Sequence, residues 1–389
     1  MDKGYLFISN STKPTRDQLK SLSPINIGTF AFAPVNAAKI LGYKLYYGIN
    51  RDNPEKITCL NFDVRFYDQH CYRNIFSLKD NIIAFRNLNR FLKAHSEIEI
   101  LHCNTPIGGV IGRICGRINN IPKIIYTAHG FHFYNGAPFF YRTILKWIEQ
   151  ILAHYTDALI TMNQEDYHAA QKMKLRKGGK VYYIPGVGVE TKKYLNNNLD
   201  VISIKKSLGL PEDAFVGIAM GDVIPRKNYK TAIDAIATTR NSKIHYIICG
   251  RGVQIEKLKE YSKLLGVDKQ VHFLGFRNDI LELTLMADFF MFASTQEGLP
   301  RSTMEAMCAG KPCLVSNIRG HVDLIDNYKG GILFEPKDHE TLAQAINQLF
   351  QNPELLTLWG EYNKEKIKNF DIEVVKSKML DIYKDILNL

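Results

Sequence analysis

Short β-rich runs that alternate with helix-length segments constrain this chain most. They occupy residues 5–9, 44–47, 98–102, 123–127, 158–161 and 181–184 in the first half, and 216–220, 244–249, 271–274, 289–293, 312–315 and 331–334 in the second. Runs bounded by Gly, Pro or Asn and separated by enough chain for a helix belong to βαβ units, whose strands lie parallel. Two groups of six predict two doubly wound α/β domains rather than one very wide sheet, and 389 residues suffice for two cores. Open parallel sheets bind ligands outside the carboxyl ends of their strands, so chemistry is expected in a central cleft faced by both domains.

Punctuation sets the expected boundaries. Pro185-Gly-Val-Gly-Val-Glu190 and the polar stretch 191–206, with its Asn run at 196–198, hold turn residues and little apolar periodicity. The expected units are an N-terminal Rossmann-like domain at 1–187 and a C-terminal one at 188–369. Residues 370–389 read as an amphipathic helix, with Ile372, Val375, Met379, Ile382, Tyr383 and Ile386 mostly three or four apart.

Several classes are excluded. No apolar run approaches the roughly 18 residues that cross a bilayer. The opening MDKGYLFISNST lacks a secretory leader's apolar stretch, which predicts a cytoplasmic protein. Seven cysteines form no Cys-x-x-Cys pair and no Cys/His metal spacing, and read as reduced, buried thiols. No Asp-x-Asp or His cluster suggests a divalent metal.

Charge is uneven. Residues 1–190 hold 24 Lys and Arg against 14 Asp and Glu, a net of +10, whereas residues 191–389 hold 26 against 25. The basic half suits an anionic partner such as a phospholipid surface, a pyrophosphate-bearing substrate or nucleic acid; a merely solvated basic surface is the alternative. No aromatic–basic RNA motif or zinc module is present, so no nucleic-acid partner is expected.

The passage FFMFASTQEGLPRSTMEAMCAGKP, residues 289–312, reads as a buried strand, a loop and a helix that begins near Arg301 or Ser302. Glu297 lies in the loop and Glu305 eight positions on. Gly298, Leu299 and Pro300 keep backbone close to a ligand and start the helix, so the N–H groups of Ser302, Thr303 and Met304 are expected to be free for a phosphate. A carboxylate one turn in can accept from ribose hydroxyls, and one in the loop from those of a sugar. Ser302-x-x-Glu305 also fits a capping box, in which Glu305 only satisfies an amide.

Other strand ends carry further candidates. Gly221-Asp-Val-Ile-Pro-Arg-Lys227 follows the run at 216–220, and its Arg226 and Lys227 suit a leaving pyrophosphate or form a solvated basic turn. The strand at 123–127 leads into a Gly-bearing loop with His129 and His132; His129 can bond a sugar hydroxyl or be satisfied within the fold. Gly250-Arg-Gly252 and Gly275-Phe276-Arg277 end two strands of the second domain, and Gly28 lies in the first βα connection. Gly108, Gly109, Gly112 and Gly116 suit close helix packing. Residues 139–152 mix aromatic, aliphatic and basic side chains as a membrane-surface helix does, or as a core helix can.

The ordered coincidence of the two glutamates, Gly-Leu-Pro and Glu-Ala-Met-x-Ala-Gly-x-Pro closely resembles the signature of retaining family-4 glycosyltransferases, of GT-B fold and of the bacterial capsule and exopolysaccharide type. His102, residues 127–131 and Pro185-Gly-Val-Gly188 occur in the family's order. The resemblance implies a metal-independent enzyme that moves a sugar from a nucleotide sugar, by expectation a UDP-sugar, to a saccharide on undecaprenyl diphosphate. It implies no other cofactor, and a peripheral place on an anionic membrane, the inner face of the plasma membrane. By the same resemblance Glu305 holds the ribose and Glu297 the donor sugar, while Gly298, Leu299, Pro300, Ser302 and Thr303 bring backbone to sugar and phosphate. Arg226 and Lys227 take the diphosphate, Gly221, Gly250, Phe276 and Arg277 meet the nucleotide, and Gly28 matches a first-strand glycine loop. His129 faces the donor sugar and joins Arg226, Lys227 and Glu297 as catalytic. Asp222 stands where many relatives carry Arg, one cation fewer at the phosphates. The last helix of this fold crosses back to the N-terminal domain. The rival readings are a GT-B nucleotide-sugar 2-epimerase and a non-enzymatic nucleic-acid-binding protein.

Overall fold

Every strand pairing among the described residues of the computed structural model (3–134, 136–195 and 199–389) is parallel, in two separate sheets. Residues 196–198 of the expected linker lie outside the described residues. The first sheet holds β1 (Gly4–Ile8), β2 (Lys44–Ile49), β3 (Val64–Asp68), β4 (Ile98–Asn104), β5 (Lys123–Ala128), β6 (Ala158–Thr161) and β7 (Lys180–Tyr183), in the order β3-β2-β1-β4-β5-β6-β7. The second holds β8 (Phe215–Met220), β9 (Ile244–Cys249), β10 (Val271–Gly275), β11 (Phe289–Phe292), β12 (Cys313–Ser316) and β13 (Gly331–Phe334), in the order β10-β9-β8-β11-β12-β13. Strand order therefore reverses between β1 and β4 and between β8 and β11, the places where such sheets bind ligands.

The first sheet has seven strands, not the expected six. β3, an edge strand, was missed because its buried run is only Phe66-Tyr67, flanked by exposed Arg65 and by Asp68.

Chain contacts divide the molecule into unit 1, Met1–Val187 with Glu373–Leu389, and unit 2, Gly188–Ile372. In unit 1, helices α1 (Thr29–Ile40), α2 (Leu78–Ala94), α3 (Pro106–Ile118) and α4 (Lys146–Ala153) cover the sheet. α3 lies close to the strands because of its glycines: a Cβ on Gly112 would collide with Cys103 Sγ and the Ile8 side chain. In unit 2, α5 (Tyr229–Thr239) and α6 (Arg301–Cys308) follow β8 and β11.

The final helix, α7 (Ile372–Leu387), completes unit 1. Val375, Met379, Ile382, Tyr383 and Ile386 are buried against Tyr5, Phe7 and Ile100, at roughly 2 kcal/mol for each aliphatic side chain. The Tyr383 hydroxyl bonds that of Tyr5 at 3.0 Å and His102 Nδ1 at 2.6 Å, and His102 Nε2 meets Thr127 Oγ1 at 2.8 Å. Residues 370–372 stay with unit 2, where Val189 pairs with Asp371.

Candidate functional site

In unit 2 the polar groups gather at the carboxyl ends of β8, β11 and β12. Glu297, buried in the loop after β11, receives hydrogen bonds on Oε1 from Lys227 Nζ at 2.6 Å and Ser294 Oγ at 2.7 Å, with Arg226 Nη1 at 3.5 Å. Burial would raise its carboxyl pKa, but the Lys227 charge and these hydrogen bonds outweigh it and hold the group below the usual range. Lys227 lies over the Phe292 ring at 4.5 Å, and burial draws it down from an ordinary lysine. Arg226 is half exposed and also donates to Gln296 O at 3.0 Å. Gly221 holds φ +151°, a conformation that favours glycine, beside Phe292, Tyr229 and Lys227.

Helix α6 begins at Arg301 with Pro300 as its N-cap. Ser302 is thus inside the helix and the capping box does not form; Glu305 instead meets Arg301 Nε at 2.9 Å. Met304 is a correction to the expected free amides. Its N–H already donates to Pro300 O, because i→i−4 bonding starts at the fourth helical residue, and this leaves Ser302 and Thr303 open. Thr303 Oγ1 is buried and has no partner among the described residues. Burial raises the Glu305 carboxyl pKa, against the opposing pull of Arg301.

Gly298 and Leu299 are held by a loop the sequence reading missed. Arg319 donates through Nε to Glu297 O at 3.0 Å, and a Cβ on Gly320 would strike Gly298 O. His321, fully buried beside them, has its pKa lowered to about 4 by burial, and its Nε2 has no partner among the described residues. The available signal was Arg319-Gly-His321 at the carboxyl end of an apolar strand. Gly250 has a packing reason for its identity, since a Cβ would strike Gly221 O. Phe276 is exposed and lies under Arg251 at 4.9 Å, a flat face suited to a base. Arg277 is forked onto Asp279 rather than free.

In unit 1, His129 follows β5, with the Phe30 ring edge-on at 6.3 Å. Its pKa is lowered to about 4 by burial and by Arg73, so the imidazole is neutral, and Nε2 is shut from solvent with no partner among the described residues. Gly28 is exposed and caps α1. The carboxyl end of the same sheet holds Asn104, with both amide atoms unpaired among the described residues, and Asn10, whose Oδ1 accepts from Ile107 and Gly108 N–H while Nδ2 has no partner among them. Thr105, between strand and helix, holds φ +64°, a costly conformation for a β-branched residue. Sequence reading missed Asn10 and Asn104 because lone asparagines carry no motif. Such a sheet end mixes donors and an acceptor, as hydroxylated ligands require. Among the described residues no group of three or more His, Cys, Asp or Glu could hold a metal.

Comparison with known proteins agrees with this geometry. The family described as Glycosyltransferase Family 4 matches residues 52–191, and Glycosyl transferases group 1 matches residues 200–366. The "Putative glycosyltransferase EpsD" of Bacillus subtilis is 32% identical over 308 residues, 78% of this chain and 80% of that protein. An Escherichia coli relative, UDP-Gal:alpha-D-GlcNAc-diphosphoundecaprenol alpha-1,3-galactosyltransferase, is 30% identical over 81% of this chain and 82% of its own. The crystal structure of Anabaena Alr3699/HepE with UDP and glucose superimposes with a TM-score of 0.77 at 20% identity, covering the whole of both chains. Two parallel-sheet units, a polar cluster at the second sheet's switch point and these matches together make the chain a member of the family-4 glycosyltransferases of GT-B fold, an enzyme of bacterial polysaccharide synthesis.

Proposed function

We propose that this enzyme transfers a sugar from a UDP-sugar to a saccharide carried on a lipid diphosphate, with retention of anomeric configuration, at the cytoplasmic face of an anionic membrane. The observation that carries the donor half is the open start of α6: two free amides and the unpaired Thr303 hydroxyl, one turn from Glu305. Phosphate fits the helix end, and ribose hydroxyls fit the carboxylate. The E. coli relative is named for UDP-galactose and a diphosphoundecaprenol acceptor, and HepE holds UDP.

In the reaction the bond from the sugar's C1 to the diphosphate oxygen breaks, a bond from C1 to the acceptor oxygen forms, and the acceptor proton passes to the leaving diphosphate. Arg226, Lys227 and the start of α6 stabilise the charge growing on that diphosphate. Glu297, committed to Lys227 and Ser294, orients donor-sugar hydroxyls rather than attacking carbon. His129, neutral at physiological pH, meets a sugar hydroxyl through Nε2 once its side chain turns out of the cover that shuts that atom from solvent.

Calorimetric titration with UDP and GDP tests the donor half. Wild type should bind UDP, bind GDP more weakly, and lose UDP affinity on Glu305→Ala. Incubation with UDP-sugars and an alkyl-diphosphate-linked saccharide should then give product only when both substrates are present. Rearranged sugar from donor alone would instead favour a 2-epimerase, and failure to bind either nucleotide would defeat the proposal.

A further inference from the structure

A hollow of about 270 Å³ opens beside α4 in unit 1. Arg142, Lys146 and Lys172 bring three cations to it, Gln150 adds a polar group, Phe133 and Tyr134 form aromatic wall, and no carboxylate lines it. None of the three cations is ion-paired among the described residues. Like charges around one concavity with no counter-charge point to an anionic ligand.

The segment that carries two of these cations presents three faces. Arg142, Lys146 and Gln150, four residues apart, line the hollow. Phe140, Ile144, Trp147 and Ile151, at spacings of four, three and four, form an exposed apolar stripe, with Trp147 63% exposed. Phe139, at the start of the segment, is 82% exposed. Leu152 and Ala153 turn inward, and so does Glu149, which meets the buried Arg113 guanidinium at 2.8 Å. That ion pair fixes the helix's rotation, so the aromatic stripe cannot roll into the core. A core helix, the alternative reading of residues 139–152, does not leave such a stripe in water.

We propose that the hollow beside α4 and the adjoining apolar stripe bind the diphosphate and first isoprene units of an isoprenyl diphosphate, the carrier of the acceptor saccharide. This assignment rests on the lipid-linked acceptor proposed above. The Arg142 fork and two compact ammonium groups match a diphosphate's charge, and Phe140, Ile144 and Trp147 offer apolar contact at its lipid end. A nucleoside diphosphate would leave the stripe bare.

The test uses the full chain, saturated with UDP to occupy the donor site, and farnesyl diphosphate as probe. Trp147 reports binding, because the second tryptophan, Trp359, is buried in unit 2. Farnesyl diphosphate should shift tryptophan emission to the blue saturably, and Trp147→Phe should abolish the shift. Inorganic pyrophosphate and farnesol should each bind at least roughly tenfold more weakly. Arg142→Glu with Lys146→Glu, or Lys172→Glu alone on a separate element, should weaken farnesyl diphosphate by roughly tenfold or more and raise KM for the lipid-linked acceptor, with UDP affinity unchanged. Equal affinity for pyrophosphate would mean a free-anion site and overturn the proposal. Unchanged binding by the folded charge-reversed variants, or an emission shift that survives Trp147→Phe, would also overturn it. The farnesyl diphosphate titration repeated without UDP keeps this result separate from the transferase reading, which fails on its own if UDP does not bind.

Discussion

Glu305 is built against its own stability. Burial favours its neutral form while Arg301 favours the charge, and burial prevails. A carboxyl whose folded pKa lies above its unfolded value contributes stability at low pH and loses it as pH rises, so the ionised group costs stability at neutrality. Glu305→Gln should therefore raise stability at pH 7 by about 1 kcal/mol while weakening UDP binding, as thermal melts and calorimetry on one sample would report. Lys227 and Glu297 are the opposite case. Lys227→Met leaves the buried Glu297 carboxylate with only the Ser294 hydroxyl and the half-exposed Arg226, and should cost about 3 kcal/mol in urea denaturation; adding Glu297→Gln should restore most of it. These residues were legible because a motif with fixed order carries them. Arg319 and His321 were not, since they act by holding another loop's backbone across a close approach that spacing along the chain does not encode.

At the scale of elements, the chain Tyr5–Tyr383–His102–Thr127 ties α7 to three strands through side-chain hydrogen bonds shut from water. Tyr383→Phe keeps the ring's packing but strands the Tyr5 hydroxyl and His102 Nδ1. It should cost about 1–3 kcal/mol in urea denaturation, with UDP affinity unchanged if the donor binds at the site proposed in unit 2. The amphipathic pattern of α7 was readable, because apolar spacing reports a buried face directly. What that face covers was an expectation carried by resemblance alone. β3 was unreadable because only Phe66 and Tyr67 are buried in it, a run too short to stand out beside exposed Arg65.

For the whole molecule, charge and acid sensitivity divide along the same units. Unit 1 holds 27 Lys and Arg against 16 Asp and Glu, and unit 2 holds 23 against 23, so the entire net charge of +11 belongs to unit 1. Each unit also buries neutral histidines: in unit 1 His102 with pKa lowered to about 3 and His129 to about 4, and in unit 2 His321 to about 4. A histidine depressed in the fold takes its proton readily only when unfolded, so stability should fall as pH drops below about 6.5. By pH 5 each histidine should have removed about 2 kcal/mol, seen as a melting temperature that declines steadily while lysine and arginine charges stay fixed. The division into two sheets was plain from strand runs, which are local. The join between residues 1–187 and 373–389 is not local, and composition does not reveal it.

That join orders the protein's birth. Residues 373–389 leave the ribosome only after all of unit 2, so the sheet made first must wait, with the face of Tyr5 and Phe7 uncovered, while the sheet made second can finish. The nascent chain therefore passes through a stage in which the early, basic unit still lacks its covering helix, with part of its apolar face open to water until the last residues arrive.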